Sequence, residues 1–152
     1  MATVKKSRSA PSKAAAAAPA PAGYSGTPLP KKLGIKPGSV VRMIGAPRGF
    51  RKTLGELPEG ASLREDLRGP ASLTLWFLPS QTVLDRGIQE IAAQLEGRPI
   101  WMMWPKKASG ILTDLTDREV RAAGLAAGLV DYKVCAVDST WSGLLFTRRK
   151  GK

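Results

Sequence analysis

Two stretches of the chain are apolar almost without interruption, and two others repeat apolar positions every three to four residues. Ser72–Leu78 and Pro99–Trp104 are of the first kind, as expected for strands buried on both faces of a parallel sheet. After Ser80, which can cap a helix, Val83, Leu84, Ile88, Ile91 and Leu95 fall at helical spacing on one face, and Gly97 supplies a stop. Thr116-Asp117-Arg118-Glu119 has the form of a capping box and opens a second helix that ends at Gly128. Ser39–Ile44 is a short β-branched run between a Lys36-Pro37-Gly38 turn and Gly45-Ala46-Pro47, and it predicts a first strand. Before it, Thr27 can cap a short helix with Pro28 at its first position, running through Lys31 and Leu33. Val130–Val137 and Leu144–Arg149 read as two strands joined by Asp138–Gly143 in a hairpin-like connection. Between Phe50 and Gly69 the pattern is weakest. Leu54, Leu57, Leu63 and Leu67 point to short helical pieces around a Pro58–Gly60 turn.

Strands alternating with helices through short loops imply a parallel sheet with right-handed crossovers. The reading is therefore an α/β fold: a small three-layer, Rossmann-like, mainly parallel sheet. It has about five strands in the order 1-2-3-5-4, the last antiparallel. That order resembles the distal half of a methyltransferase fold. Residues 1–22 are low-complexity Ala, Pro, Lys and Ser with too little bulky apolar surface to offset ordering entropy, and they predict a disordered tail. Residues 23–149 form the single α/β domain, and residues 150–152 a basic C-terminal end.

Composition narrows the chemistry more than it names it. The 152 residues contain no histidine and one cysteine, Cys135. Ser-His-Asp and Cys-His catalysis are thereby excluded, as are histidine-containing zinc sites and thiolate cages, and the reading assigns no metal. Any general acid or base would be a carboxylate, a lysine, a tyrosine or the cysteine. Cys135 lies between Val134 and Ala136 inside a predicted strand, where a buried, inert thiol is expected. A lone cysteine fits a reducing cytoplasm, and no apolar run reaches membrane-spanning length. The net charge is +12, but residues 1–22 and residues 148–152 each carry four cations and no acid. The remainder holds 16 basic and 12 acidic side chains, an excess of only four. Basic tails of this kind bind polyanions without sequence preference, or simply keep a protein soluble.

In open α/β sheets, ligands bind beyond the carboxyl ends of the strands. That rule collects four loops. Gly45–Phe50 follows the first strand, Pro79–Ser80 the second, Pro105–Gly110 the third and Asp138–Ser142 the fourth. The third loop places Lys106, Lys107 and Ser109 at one edge beside Trp104, a set able to hold a phosphate or carboxylate. The fourth adds Asp138, Trp141 and Ser142, and an ion pair between Lys106 and Asp138 would link the two. Each has an ordinary alternative: a solvated turn, an Asx-turn at Asp138, and tryptophans that close the core. The first loop lacks a full Gly-x-Gly-x-x-Gly pattern, and no strand ending in an acid is read after it to hold a ribose hydroxyl. The reading therefore assigns no nucleotide or S-adenosylmethionine cofactor.

Gly23-Tyr24-Ser25-Gly26-Thr27-Pro28-Leu29, Trp104-Pro105-Lys106-Lys107 and Val134-Cys135-Ala136-Val137-Asp138 with Trp141-Ser142-Gly143-Leu144 resemble a bacterial domain-of-unknown-function family of small stand-alone proteins. The resemblance spans roughly residues 23–149 and implies a cytoplasmic bacterial protein; it brings no activity and no catalytic residues. The expectation is a non-catalytic or weakly catalytic binding domain for a small anionic ligand. The ligand would sit at the carboxyl edge of the sheet, with Trp104, Lys106, Lys107, Ser109, Asp138, Trp141 and Ser142 as its residues. Association with DNA or RNA through the basic tails, and a degenerate methyltransferase-like enzyme, are the alternatives.

Overall fold

The computed structural model describes residues 28–66 and 69–148. Both basic ends, Thr27 as a cap, the Gly23–Thr27 motif and Leu67 lie outside the described residues. One six-stranded sheet organises the rest. Its strands are β1 (Val40–Ile44), β2 (Ser62–Arg64), β3 (Leu73–Phe77), β4 (Ile100–Pro105), β5 (Leu129–Ala136) and β6 (Trp141–Arg148). The order across the sheet is β2-β1-β3-β4-β6-β5. β1 is parallel to β2 and β3, and β3 to β4, whereas β6 runs antiparallel to both β4 and β5. The five strands read from the pattern stand in the order expected, with the last one antiparallel. β2 is an additional strand at the β1 edge.

The helices form a layer on each face. α1 (Leu29–Leu33) and α2 (Phe50–Leu54) lie on one side, α3 (Gln81–Gln94) and α4 (Asp117–Ala126) on the other. Strand alternation sends Leu73, Leu75, Phe77, Trp101 and Met103 toward α1 and α2. Trp76, Ile100, Met102 and Trp104 face α3 and α4. Every residue of β3 and β4 is buried, so their unbroken apolar runs reflect two covered faces. The Trp101 indole Nε1–H donates to the Leu33 carbonyl at 2.8 Å and ties α1 to the sheet.

The caps expected at Ser80 and Thr116 form. Ser80 accepts from the Val83 N–H, and Thr116 and Glu119 close a capping box on α4. Leu84, Ile88, Ile91 and Leu95 bury the face of α3, but Val83 is 38% exposed, because it sits a full helical step away from Leu84. The stretch read as short helical pieces contains one five-residue helix, α2, and then the strand β2. The Asp138–Gly143 connection is also shorter than expected: β6 begins at Trp141, so Trp141 and Ser142 are strand residues. The Asp138 carboxylate accepts from the N–H groups of Thr140 and Trp141, both at 2.8 Å, and closes the turn early.

Candidate functional site

The Lys106 and Asp138 loops meet at the sheet's carboxyl edge, where the Lys106 N–H donates to the Thr140 carbonyl at 2.7 Å. Within that junction the side chains of Asp138 and Ser109 serve the backbone. Asp138 holds its Asx-turn. The Ser109 hydroxyl donates to the Lys106 carbonyl and accepts from the Ile111 N–H, shaping the 3₁₀ turn Lys107–Ser109. Trp104 and Trp141 are both buried, on opposite faces of the sheet. Ser142 pairs with Trp104 across the ladder and so shares Trp104's face. Lys107 is exposed. An ion pair between Lys106 and Asp138 is not among those of the described residues, which join Arg51 to Glu65, Arg64 to Asp66, and Arg121 to Asp117 and Asp131. The Cys135 thiol is buried, and burial pushes its pKa up, with Lys32, Lys133 and Lys106 opposing that shift.

A cavity opens instead at the other end of the same edge. It has a volume of about 360 Å³ and is lined by Met43, Ala46, Pro47, Arg48, Gly49, Phe50, Arg51 and Glu65. Its wall is the turn that leaves β1. Gly45 has φ +71°, and a side chain there would stand 3.1 Å from the Phe77 carbonyl, so only glycine lets the chain turn off β1 against the end of β3. Gly49, at φ +87°, starts α2. Phe50 then drops into the core, edge-on to Phe77 at 4.7 Å, and Phe77 in turn meets Trp141 at 5.1 Å. This aromatic row runs from the cavity, which Phe50 lines, to Trp141 beside the Asp138 turn.

Glu65 enters from β2, and sequence reasoning missed it. β2 runs parallel to β1, with Val41 opposite Leu63 and Arg42 opposite Arg64, so the residue following Arg64 emerges at the carboxyl edge beside the Gly45–Phe50 turn. This corrects the expectation that no strand ending in an acid follows that turn. The spacing held the signal: Glu65 stands twenty positions after Gly45, the interval at which a ribose-binding acid follows the glycine turn of a nucleotide-binding unit. Across the cavity, Arg51 donates to the Glu65 carboxylate at 3.1 Å. Arg42, 3% exposed, donates to the Gly69 carbonyl and anchors the segment beyond β2.

A larger cavity, about 830 Å³, lies between α1 and the α2–β2 connection, lined by Leu29, Ile35, Leu54, Leu57 and four prolines. It adjoins the residues leading into β1 and β2, at the amino ends of the strands.

No family model and no curated protein matches the chain. Solved structures do. A SAM-dependent methyltransferase from Aquifex aeolicus superposes with a TM-score of 0.53 at 15% identity, over 78% of this chain and 86% of that one. The fold is that of the methyltransferases. A putative type 11 methyltransferase from Sulfolobus solfataricus gives 0.54 at 13% identity, over 82% of this chain and 91% of that one. The ribosomal protein L11 methylase from Lactobacillus delbrueckii subsp. bulgaricus gives 0.53 at 14%, over 80% and 75%. Within the methyltransferase fold of this chain, the cavity beside β1 and β2 occupies the carboxyl edge of the sheet, where such sheets take their ligands.

Proposed function

We propose that the chain binds a small molecule bearing a ribose in the cavity between the Gly45–Arg51 turn and Glu65. The observation that carries this reading is Glu65 at the end of β2, facing the glycine turn of the neighbouring parallel strand. A carboxylate there can accept from two vicinal hydroxyls. Its present partner, Arg51, is also exposed, and exposed ion pairs contribute only about 0–1 kcal/mol, so hydroxyls can share or replace that contact at little expense.

The fold's neighbours raise S-adenosylmethionine as the natural candidate, and the residues present fit only part of it. Glu65 suits its ribose. Its sulfonium has no match: the only carboxylate among the eight lining residues already faces Arg51, and Arg48 adds a second positive charge. No methyl-transfer step is derived for this chain.

Calorimetric titration with the four nucleosides, S-adenosylmethionine and S-adenosylhomocysteine tests the reading. At least one ribose-bearing compound binds, its 2′-deoxy analogue binds more weakly, and Glu65→Gln weakens it about tenfold, the order expected for one charge-assisted hydrogen bond. Absence of binding across the panel, or binding indifferent to both changes, rejects the site.

A further inference from the structure

We infer that the ligand carries a phosphate on the same molecule as its ribose, so that the cavity selects a nucleotide over a nucleoside or a sulfonium compound. The inference rests on the ribose reading and deepens it. Three charged side chains line the cavity, Arg48, Arg51 and Glu65, for a net charge of +1. Arg48 and Arg51 sit three residues apart across the Gly49 start of α2, and both residues line the cavity beside the glycine turn. Arg51 alone is balanced by Glu65, at 3.1 Å. Arg48 has no acid among the lining residues to match it.

The ion pair also makes the two halves of recognition interdependent. When ribose hydroxyls occupy the Glu65 oxygens, the Arg51 guanidinium gives up part of its contact and presents its free donors to the cavity. With Arg48 it then forms a two-guanidinium clamp, and a planar guanidinium matches phosphate oxygens in pairs. A neutral nucleoside leaves that clamp unmatched. A sulfonium ligand places a cation near it.

The experiment compares the four nucleosides with their 5′-monophosphates, and both with S-adenosylmethionine, by calorimetry at low and at moderate salt. The proteins are the wild type, Arg48→Gln/Arg51→Gln and Glu65→Gln. In the wild type a monophosphate binds at least about tenfold more tightly than its nucleoside, and added salt narrows the gap. The gap closes in the double arginine variant; a gap that persists there overturns the inference. Because both arginines are exposed, an unchanged melting temperature shows that the variant folds. A nucleoside that binds as tightly as its monophosphate, or S-adenosylmethionine binding more tightly than either, overturns the inference and leaves the ribose reading standing. Monophosphate binding that Glu65→Gln leaves intact overturns the ribose reading, and the nucleotide assignment falls with it.

Discussion

At Gly124 a missing methyl group determines how closely α4 lies on the sheet. A β-carbon there would sit 2.3 Å from the Phe146 ring, and Phe146 is wholly buried. Alanine would gain roughly 1 kcal/mol in helix propensity. Forcing a methyl group into a packed ring contact costs about 1–3 kcal/mol, so the steric term dominates. Gly124→Ala therefore lowers the midpoint of equilibrium urea unfolding with little change in slope. An unchanged or raised midpoint would mean that α4 lifts from β6 freely. Sequence patterns carry little of this kind of information. The apolar positions of α4 and β6 announce that they pack, but the closeness of the packing depends on which glycine faces which ring. The same limit applied to Trp104 and Trp141. Their positions at one sheet edge were legible; their opposite faces followed only once β6 began at Trp141 and set the register, with Trp141 opposite Pro105 and Ser142 opposite Trp104.

Elements whose ends are written in local chemistry were read well. The capping box of α4 is the clearest case, because Thr116 and Glu119 need only each other. The Thr116 hydroxyl donates to the Glu119 carboxylate, and the Thr116 N–H donates to it at 2.8 Å. Those two bonds, in that order, hold the Glu119 carboxyl below its ordinary value of 4.5. A carboxyl with a depressed folded-state pKa stabilises fully above its ordinary value and loses that contribution as pH falls through the folded one. Glu119→Ala should thus melt at a lower temperature than the wild type above about pH 5, with the difference shrinking below about pH 4. Melting curves followed by circular dichroism across that range check it; a difference independent of pH would assign the loss to packing. β2 is the opposite case. Its three residues show no alternation long enough to register, and Leu63 belongs equally to a helical spacing with Leu67. It is a strand because β1 offers it an edge, and pairing across twenty-odd residues leaves no local trace. Missing β2 meant missing Glu65, and with it the cavity.

Across the whole molecule, burial grades outward from the middle of the sheet. β3 and β4 are covered on both faces, with Ile100, Trp101, Met102 and Met103 at 0% exposure. β2, three residues long and only partly covered, closes one edge of the sheet, and β5, which exposes Tyr132 and Val134, closes the other. Opening an edge strand exposes little apolar surface, whereas opening β4 dismantles both cores, so local stability should follow the same gradient. Amide hydrogen exchange should therefore be slowest in β3, β4 and the adjoining part of β6, and fastest in β2. This ordering bears on function, because the proposed site is built where the sheet is least stable: its acid hangs from β2 while its glycine turn hangs from the firmer β1. A ligand bridging the two must stabilise β2 by mass action, by an amount that grows with its concentration relative to its dissociation constant. The decisive measurement is exchange in β2 with and without saturating ribose ligand. Protection should rise in residues 62–66 and around Gly45–Phe50, and stay unchanged at the Lys106 and Asp138 loops. Protection appearing at those loops instead would move the ligand to the far end of the sheet edge and return Lys106, Lys107 and Asp138 to the centre of the site.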